Sequence, residues 1–143
     1  MENNWKVWAP NQDLEKKYYI SKVVDDEDGL CLFLISVSNQ KKLCVRFPGM
    51  VYAYRNRLEL AALRTLDTIA EQTEGFTASD WTFFLVENSA YAKEIAAESQ
   101  DIYPFSQLIH VAVVAGQALF EVITNTLPIL SEGWECPSND PQP

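Results

Sequence analysis

The single histidine is the residue best suited to acid–base chemistry in this chain. His110 lies within LIHVAVV, a strand-like run with apolar residues on both sides. Histidine changes charge near neutral pH, so a Ser-His-Asp or Cys-His catalytic arrangement would have to use it. No G-x-S-x-G sequence supplies a nucleophile elbow. The pattern therefore favours a core histidine held by one hydrogen bond over a catalytic histidine.

Arginines and one isolated carboxylate offer a second kind of chemistry. The sequence YAYRNR places Tyr54 beside Arg55 and Arg57, and either arginine could hold a phosphate or a carboxylate through a bidentate pair. Arg55 could instead pair with Glu59, four residues later, on a helix surface. Glu87 follows the apolar run WTFFLV and is not needed to cap the next helix, so it could pair with Arg55 or face a partner.

The densest acidic run is DDED, just before Gly29, and its residues are Asp25, Asp26, Glu27 and Asp28. A calcium-binding EF-hand loop needs oxygen ligands at positions one and twelve, which here are Val24 and Ile35, so the motif fails. One histidine and scattered cysteines do not favour a zinc site either. We expect a solvated hairpin tip, with a partner-facing acidic surface as the alternative, and we expect no metal or other cofactor.

The fold that positions these residues is predicted to be α+β, with its elements in the order βββ-α-β-α-ββ. Short hairpin turns group the strands together, and the sequence indicates only two helices. Asn56 and Glu59 resemble a capping box at the start of the first helix, with Gly75 at its end. The expected architecture is a single domain over residues 16–128, with a mostly antiparallel sheet and two helices on one face. Residues 1–15 are expected to form an irregular arm and residues 129–143 a mobile tail. The predicted strands are Tyr18–Val24, Leu30–Ser38, Lys42–Phe47, Trp81–Val86, Leu108–Val114 and Ala118–Thr124, and the predicted helices are Arg57–Glu74 and Ser89–Ser99.

The composition limits the function classes. A net charge of −9 disfavours nucleic-acid binding and suits a basic protein partner. No apolar stretch approaches the ~20 residues of a membrane-spanning helix, and no signal-peptide pattern is found. Cys31, Cys44 and Cys136 show no CxxC spacing and are interpreted as free thiols in a reducing cytosol, which predicts a cytoplasmic protein.

The chain shares four stretches of sequence with a known class of proteins in their general character. They are RFPGMVYAYRNRLE, WTFFLVENSAY, LIHVAVV and FEVIT before a proline. Over roughly Tyr18–Pro128 it resembles the small bacterial immunity proteins of polymorphic-toxin and contact-dependent inhibition systems. The resemblance implies an α+β domain that neutralises a cognate toxin by direct binding, without chemistry of its own. The acidity fits this reading, since many toxin nucleases are basic.

The predicted function is therefore a non-enzymatic, acidic protein-binding module of the immunity type, and the oligomeric state is left open. Two alternatives stand beside it. One is a secretion-type chaperone, although such chaperones usually open with a helix. The other is a small-ligand or enzyme domain, which requires Arg55, Glu87 and His110 to converge in space. The candidate partner-binding residues are Asp25, Asp26, Glu27, Asp28, Tyr54, Arg55 and Glu87.

Overall fold

Two antiparallel sheets and two helices make up the fold of the computed structural model, which describes residues 3–73 and 80–134. The α+β prediction is confirmed, although two sheets take the place of the one expected. In chain order the elements are β1 Asn4–Val7, β2 Tyr18–Asp26, β3 Gly29–Ser36, β4 Lys42–Phe47, β5 Val51–Leu58, α1 Leu63–Gln72, β6 Phe83–Glu87, α2 Ala90–Glu98, β7 Ile109–Ala115, β8 Ala118–Thr124 and β9 Ile129–Glu132.

The five-stranded sheet has the order β1-β6-β7-β8-β5, and the four-stranded sheet has the order β2-β3-β4-β9. Strand β3 shows how the sequence sets the inner face. In GLCLFLIS every second residue is buried, as the period of a strand requires. The central strands β7 and β8 are buried on both faces, so their sequences are almost continuously apolar.

The five-stranded sheet lies between the other layers. One of its faces meets the four-stranded sheet, where the rings of Phe83 and Tyr18 lie 5.9 Å apart. Its opposite face carries His110 and meets α2, where the rings of His110 and Tyr91 lie 5.7 Å apart. The polar residues of β7 and β8 on that face are therefore enclosed by a helix.

Strand β5 is the largest departure from the predicted elements. VYAYRNRL forms the edge strand beside β8, and α1 begins at Leu63 rather than Arg57. Asn56 lies within this strand and Ala62 is the N-cap of α1, so the proposed capping box is wrong. Exposed and half-buried residues alternate from Ala53 to Leu58, as is typical of an edge strand.

Both ends of the domain also contain strands. Residues 4–7, within the segment predicted to be an irregular arm, pair with β6. Residues 129–132, within the predicted mobile tail, pair with β4. These short strands depend on partners far away in the sequence, which local patterns do not reveal. The predicted helix end at Gly75 and the tail from residue 135 lie outside the described residues.

The two cysteines in the described part of the chain differ in their bonding. Cys31 is a free thiol, as predicted, but Cys44 is disulfide-bonded, so the prediction of a free thiol there is wrong. Cys136 lies outside the described residues. Disulfides persist mainly in oxidising compartments, so this bond counts against the reducing cytosol that the thiol prediction assumed.

Over residues 3–73 and 80–134, no helix has both the length and the apolar character needed to cross a bilayer.

Candidate functional site

Most of the predicted partner-binding residues gather at one surface, where the tip of the β2–β3 hairpin approaches strand β5. The acidic residues 25–28 are all exposed, as expected of a hairpin tip. The Tyr54 hydroxyl of β5 donates a 2.8 Å hydrogen bond to Oδ2 of Asp25, and the Tyr54 ring stacks on Phe120 at 5.4 Å. Strand β5 of one sheet is thereby tied to the hairpin of the other. We call this the hairpin–β5 surface, formed by residues 25–28 and Tyr54.

Glu87 lies elsewhere. It is the exposed last residue of β6, opposite Asn4 of β1. In the sheet order, β7 and β8 separate β6 from β5, so Glu87 is three strand spacings, about 14 Å, from the row of Arg55. Within the described part of the chain, Glu87 makes no ion pair with an arginine. The proposed pairing of Glu87 with Arg55 is therefore wrong.

The partner of Arg55 is Glu121, which is not among the predicted site residues. Register places Arg55 of β5 directly opposite Glu121 of β8, so both side chains project to the helix-covered face. Arg55 Nε donates to Glu121 Oε1 at 3.0 Å, and Arg55 Nη2 donates to Oε2 at 3.3 Å. Arg57 Nη2 donates to the same Oε1 at 2.8 Å. The predicted helix-surface pair of Arg55 with Glu59 is wrong, since Arg55 belongs to a strand.

His110 completes the arrangement from the neighbouring strand β7. Its Nε2 lies 2.8 Å from Glu121 Oε2, and its Nδ1 lies 2.6 Å from the Ser89 hydroxyl oxygen. An ionised carboxylate only accepts hydrogen bonds, so Nε2 carries the hydrogen that joins it to Glu121. His110 thus makes two hydrogen bonds instead of the one predicted. We call Ser89, His110, Glu121, Arg55 and Arg57 the Glu121 network.

Ser89 also caps helix α2. It is the N-cap of α2, and its hydroxyl oxygen accepts the backbone N–H of Ala92 at 2.9 Å. Asn88 before it adopts a left-handed backbone with φ of 51°, which turns the chain from β6 into the helix. The prediction that Glu87 is not needed to cap this helix is confirmed, because Ser89 supplies the cap. The same hydroxyl can donate its hydrogen to His110 Nδ1.

Aromatic rings enclose the network. The His110 ring makes T-shaped contacts with Trp5 and Tyr91, with centroid distances of 6.0 Å and 5.7 Å. The Arg55 guanidinium lies 4.1 Å from the centre of the Tyr91 ring, within the range of a cation–π contact. Glu121 and the side chain of His110 are each 1% exposed. The carboxylate is therefore cut off from water and depends on its hydrogen-bond donors.

The donors keep Glu121 ionised. Burial by itself would raise the pKa of this carboxyl group, but the hydrogen bonds from His110 and Arg55 outweigh it and lower the pKa from 4.5 to about 2. A paired, buried carboxylate of this kind orders the residues around it, and removal of either partner leaves an uncompensated charge.

The serine–histidine–glutamate sequence of hydrogen bonds resembles a catalytic triad in outline, but the positions differ. In a serine hydrolase the nucleophile bonds to Nε2 and the carboxylate to Nδ1, whereas here Ser89 meets Nδ1 and Glu121 meets Nε2. Ser89 is 2% exposed and already caps a helix. The geometry suits a structural cross-link between β5, β7, β8 and the start of α2 better than nucleophilic attack.

The convergence required by the enzyme alternative is met only in part. Arg55 and His110 meet at Glu121. Glu87 and His110 both line a surface depression of about 360 Å³ between β6, β7 and the chain after α2, but Arg55 does not line it. Over residues 3–73 and 80–134, no three His, Cys, Asp or Glu side chains are placed to hold a metal ion together.

One sequence signal could have revealed Glu121. In ALFEVIT it is a lone carboxylate with apolar neighbours on both sides, inside a strand that otherwise reads as buried. An acidic residue in such a run needs a partner, and arginine is the common one. Its pairing with Arg55 and Arg57 could be predicted only if β5 were recognised as a strand.

Comparison with protein families, with curated proteins and with solved structures finds no match to this chain.

Proposed function

We propose that the protein is a non-enzymatic, acidic protein-binding module of the immunity type, which neutralises a basic toxin domain by direct binding. The hairpin–β5 surface is its proposed binding face. Residence in the cytoplasm stays a prediction, against which the Cys44 disulfide counts.

The observation that carries the proposal is the hydrogen bond between Tyr54 and Asp25. It holds the exposed acidic residues of the hairpin against an exposed tyrosine on an edge strand. Aromatic anchors beside charged groups are typical of protein interfaces, because the ring supplies contact area and the charges steer the encounter. A net charge of −9 favours a basic partner over long range.

The Glu121 network supports a binding role over an enzymatic one. Its serine is enclosed and engaged as a helix cap, and its carboxylate is shared among Arg55, Arg57 and His110. A group that works in acid–base catalysis needs a proton affinity near the operating pH. With a pKa of about 2, Glu121 is a poor acceptor of a substrate proton.

The experiment is affinity purification from the native organism, followed by kinetics on the partner obtained. We expect a stoichiometric basic protein whose toxicity is relieved by co-expression of this chain. The association rate should fall as salt increases, because electrostatic steering is screened. Neutralising the hairpin with Asp25→Asn, Asp26→Asn, Glu27→Gln and Asp28→Asn should slow association by about tenfold.

A matched control separates the hairpin from the overall charge. The variant Asp67→Asn, Glu71→Gln, Glu94→Gln and Glu98→Gln removes four exposed acidic charges from the two helices. It carries the same net charge as the hairpin variant and should bind nearly as well as the wild type. Equal losses in both variants would contradict the proposed face, and the absence of any stoichiometric basic partner would contradict the function.

A further inference from the structure

Strand β5 places two guanidinium groups side by side at the edge of the five-stranded sheet. Arg55 and Arg57 are two residues apart, so they project to the same face, about 7 Å apart along the strand. Both reach Glu121, but their side chains stay partly accessible, at 40% exposed for Arg55 and 32% for Arg57. Each arginine side chain is therefore anchored on Glu121 and still partly open to solvent.

The charges at this position do not balance. Over residues 3–73 and 80–134, Glu121 is the only carboxylate that pairs with either arginine. Arg55, Arg57 and Glu121 sum to one positive charge in a protein of net charge −9. Glu121 stays ionised, so this excess is fixed over the ordinary pH range.

The donors are also under-used. An arginine has five N–H groups. Arg55 places two donor atoms on Glu121 and Arg57 places one there, so Nη1 of each arginine has no acceptor among the described residues. Arg57 Nε is buried without an acceptor and faces the protein. The Tyr91 ring 4.1 Å from the Arg55 guanidinium holds that group in one orientation, which lowers the entropy cost of binding.

We propose that Arg55 and Arg57 form a binding site for a carboxylate group. A carboxylate matches the planar fork of a guanidinium with two parallel hydrogen bonds. Its single negative charge balances the single excess positive charge, whereas a phosphate dianion would leave a net negative charge beside the buried Glu121. The site is independent of the proposed toxin partner, since its ligand is an anion and the hairpin is expected to meet cations.

The test follows the arginine Nε–H signals by ¹⁵N–¹H NMR while sodium acetate replaces sodium chloride at constant ionic strength and neutral pH. We expect the Arg55 and Arg57 signals to move together and to saturate, with a Kd of about 10 mM. Arg64, exposed on α1, serves as the internal control and should not move. Movement of Arg64 in parallel, or no saturable change at all, would overturn the site.

Two further arms test its chemistry. Arg57→Gln should weaken acetate binding by about tenfold, and Arg64→Gln should leave it unchanged. Arg57→Lys keeps the charge but loses the fork, so it should also weaken binding. Inorganic phosphate, titrated in the same way, should bind more weakly than acetate. Equal or tighter binding of phosphate would overturn the assignment to a carboxylate, as would full retention of acetate binding in both Arg57 variants.

Discussion

At the scale of single residues, Glu121 has the largest structural role in this molecule. Strands β5 and β7 and the start of α2 are linked to it through Arg55, Arg57, His110 and Ser89. Such a buried ionic group is not necessarily more stabilising than an apolar residue of the same size, but it is costly to leave half paired. Its loss should therefore lower the free energy of unfolding far more than the loss of an exposed carboxylate.

Glu121→Gln tests this directly. The amide keeps the size of the side chain but leaves two arginines without their counter-charge, so we expect the free energy of unfolding in urea to fall by about 3–5 kcal/mol at pH 7. Glu87→Gln, at an exposed strand end, should change it by less than about 0.5 kcal/mol. Similar small changes in both variants would show that the Glu121 network contributes little to stability.

At the scale of elements, the edge strand β1 depends on a side chain as much as on a neighbouring strand. Gln72, at the end of α1, accepts the backbone N–H of Trp5 at 2.7 Å and donates to the carbonyl of Asn3 at 3.0 Å. The amide thus takes the place of a further strand beside β1. Trp5 is held in this way against His110 and Phe84.

Gln72→Ala should loosen β1 without unfolding the sheet. Loss of about 1 kcal/mol of hydrogen bonding should speed amide exchange of Trp5 about fivefold, while amides of β7 and β8 exchange as before. Gln107→Ala is the control, because Gln107 is exposed and its side chain makes no hydrogen bond within the described chain. If the Trp5 amide exchanged at the wild-type rate in Gln72→Ala, the role given to this amide would be wrong.

The elements also show what the sequence could and could not reveal. Strands β4 and β8 were predicted with their observed bounds, because KLCVRF and ALFEVIT carry dense apolar patterns between turn residues. Strands β1 and β9 have four residues each and are stabilised by distant partners, so their local patterns are weak. The Glu121 network is a product of register between β5, β7 and β8, which sequence alone does not supply.

At the scale of the whole molecule, charge is arranged unevenly. The protein is acidic overall, with four carboxylates at the hairpin tip, whereas the arginine pair on the other side of β5 carries a local excess of positive charge. A single edge strand thus presents Tyr54 and the acidic hairpin on one side and two guanidiniums on the other. This arrangement would let the protein recognise a basic surface and a carboxylate at adjacent places.

The charge of Glu121 determines how the stability of the folded state changes as the pH falls. Glu121 has a pKa of about 2 in the folded protein, below its usual 4.5, so the unfolded chain takes up a proton first as the pH falls. The stabilisation from Glu121 is therefore complete above about pH 4.5 and is lost progressively toward pH 2. The stability difference between the wild type and Glu121→Gln, measured by urea unfolding, should shrink by about 3 kcal/mol over that window. A difference for Glu121→Gln that stays flat over this window would refute the linkage.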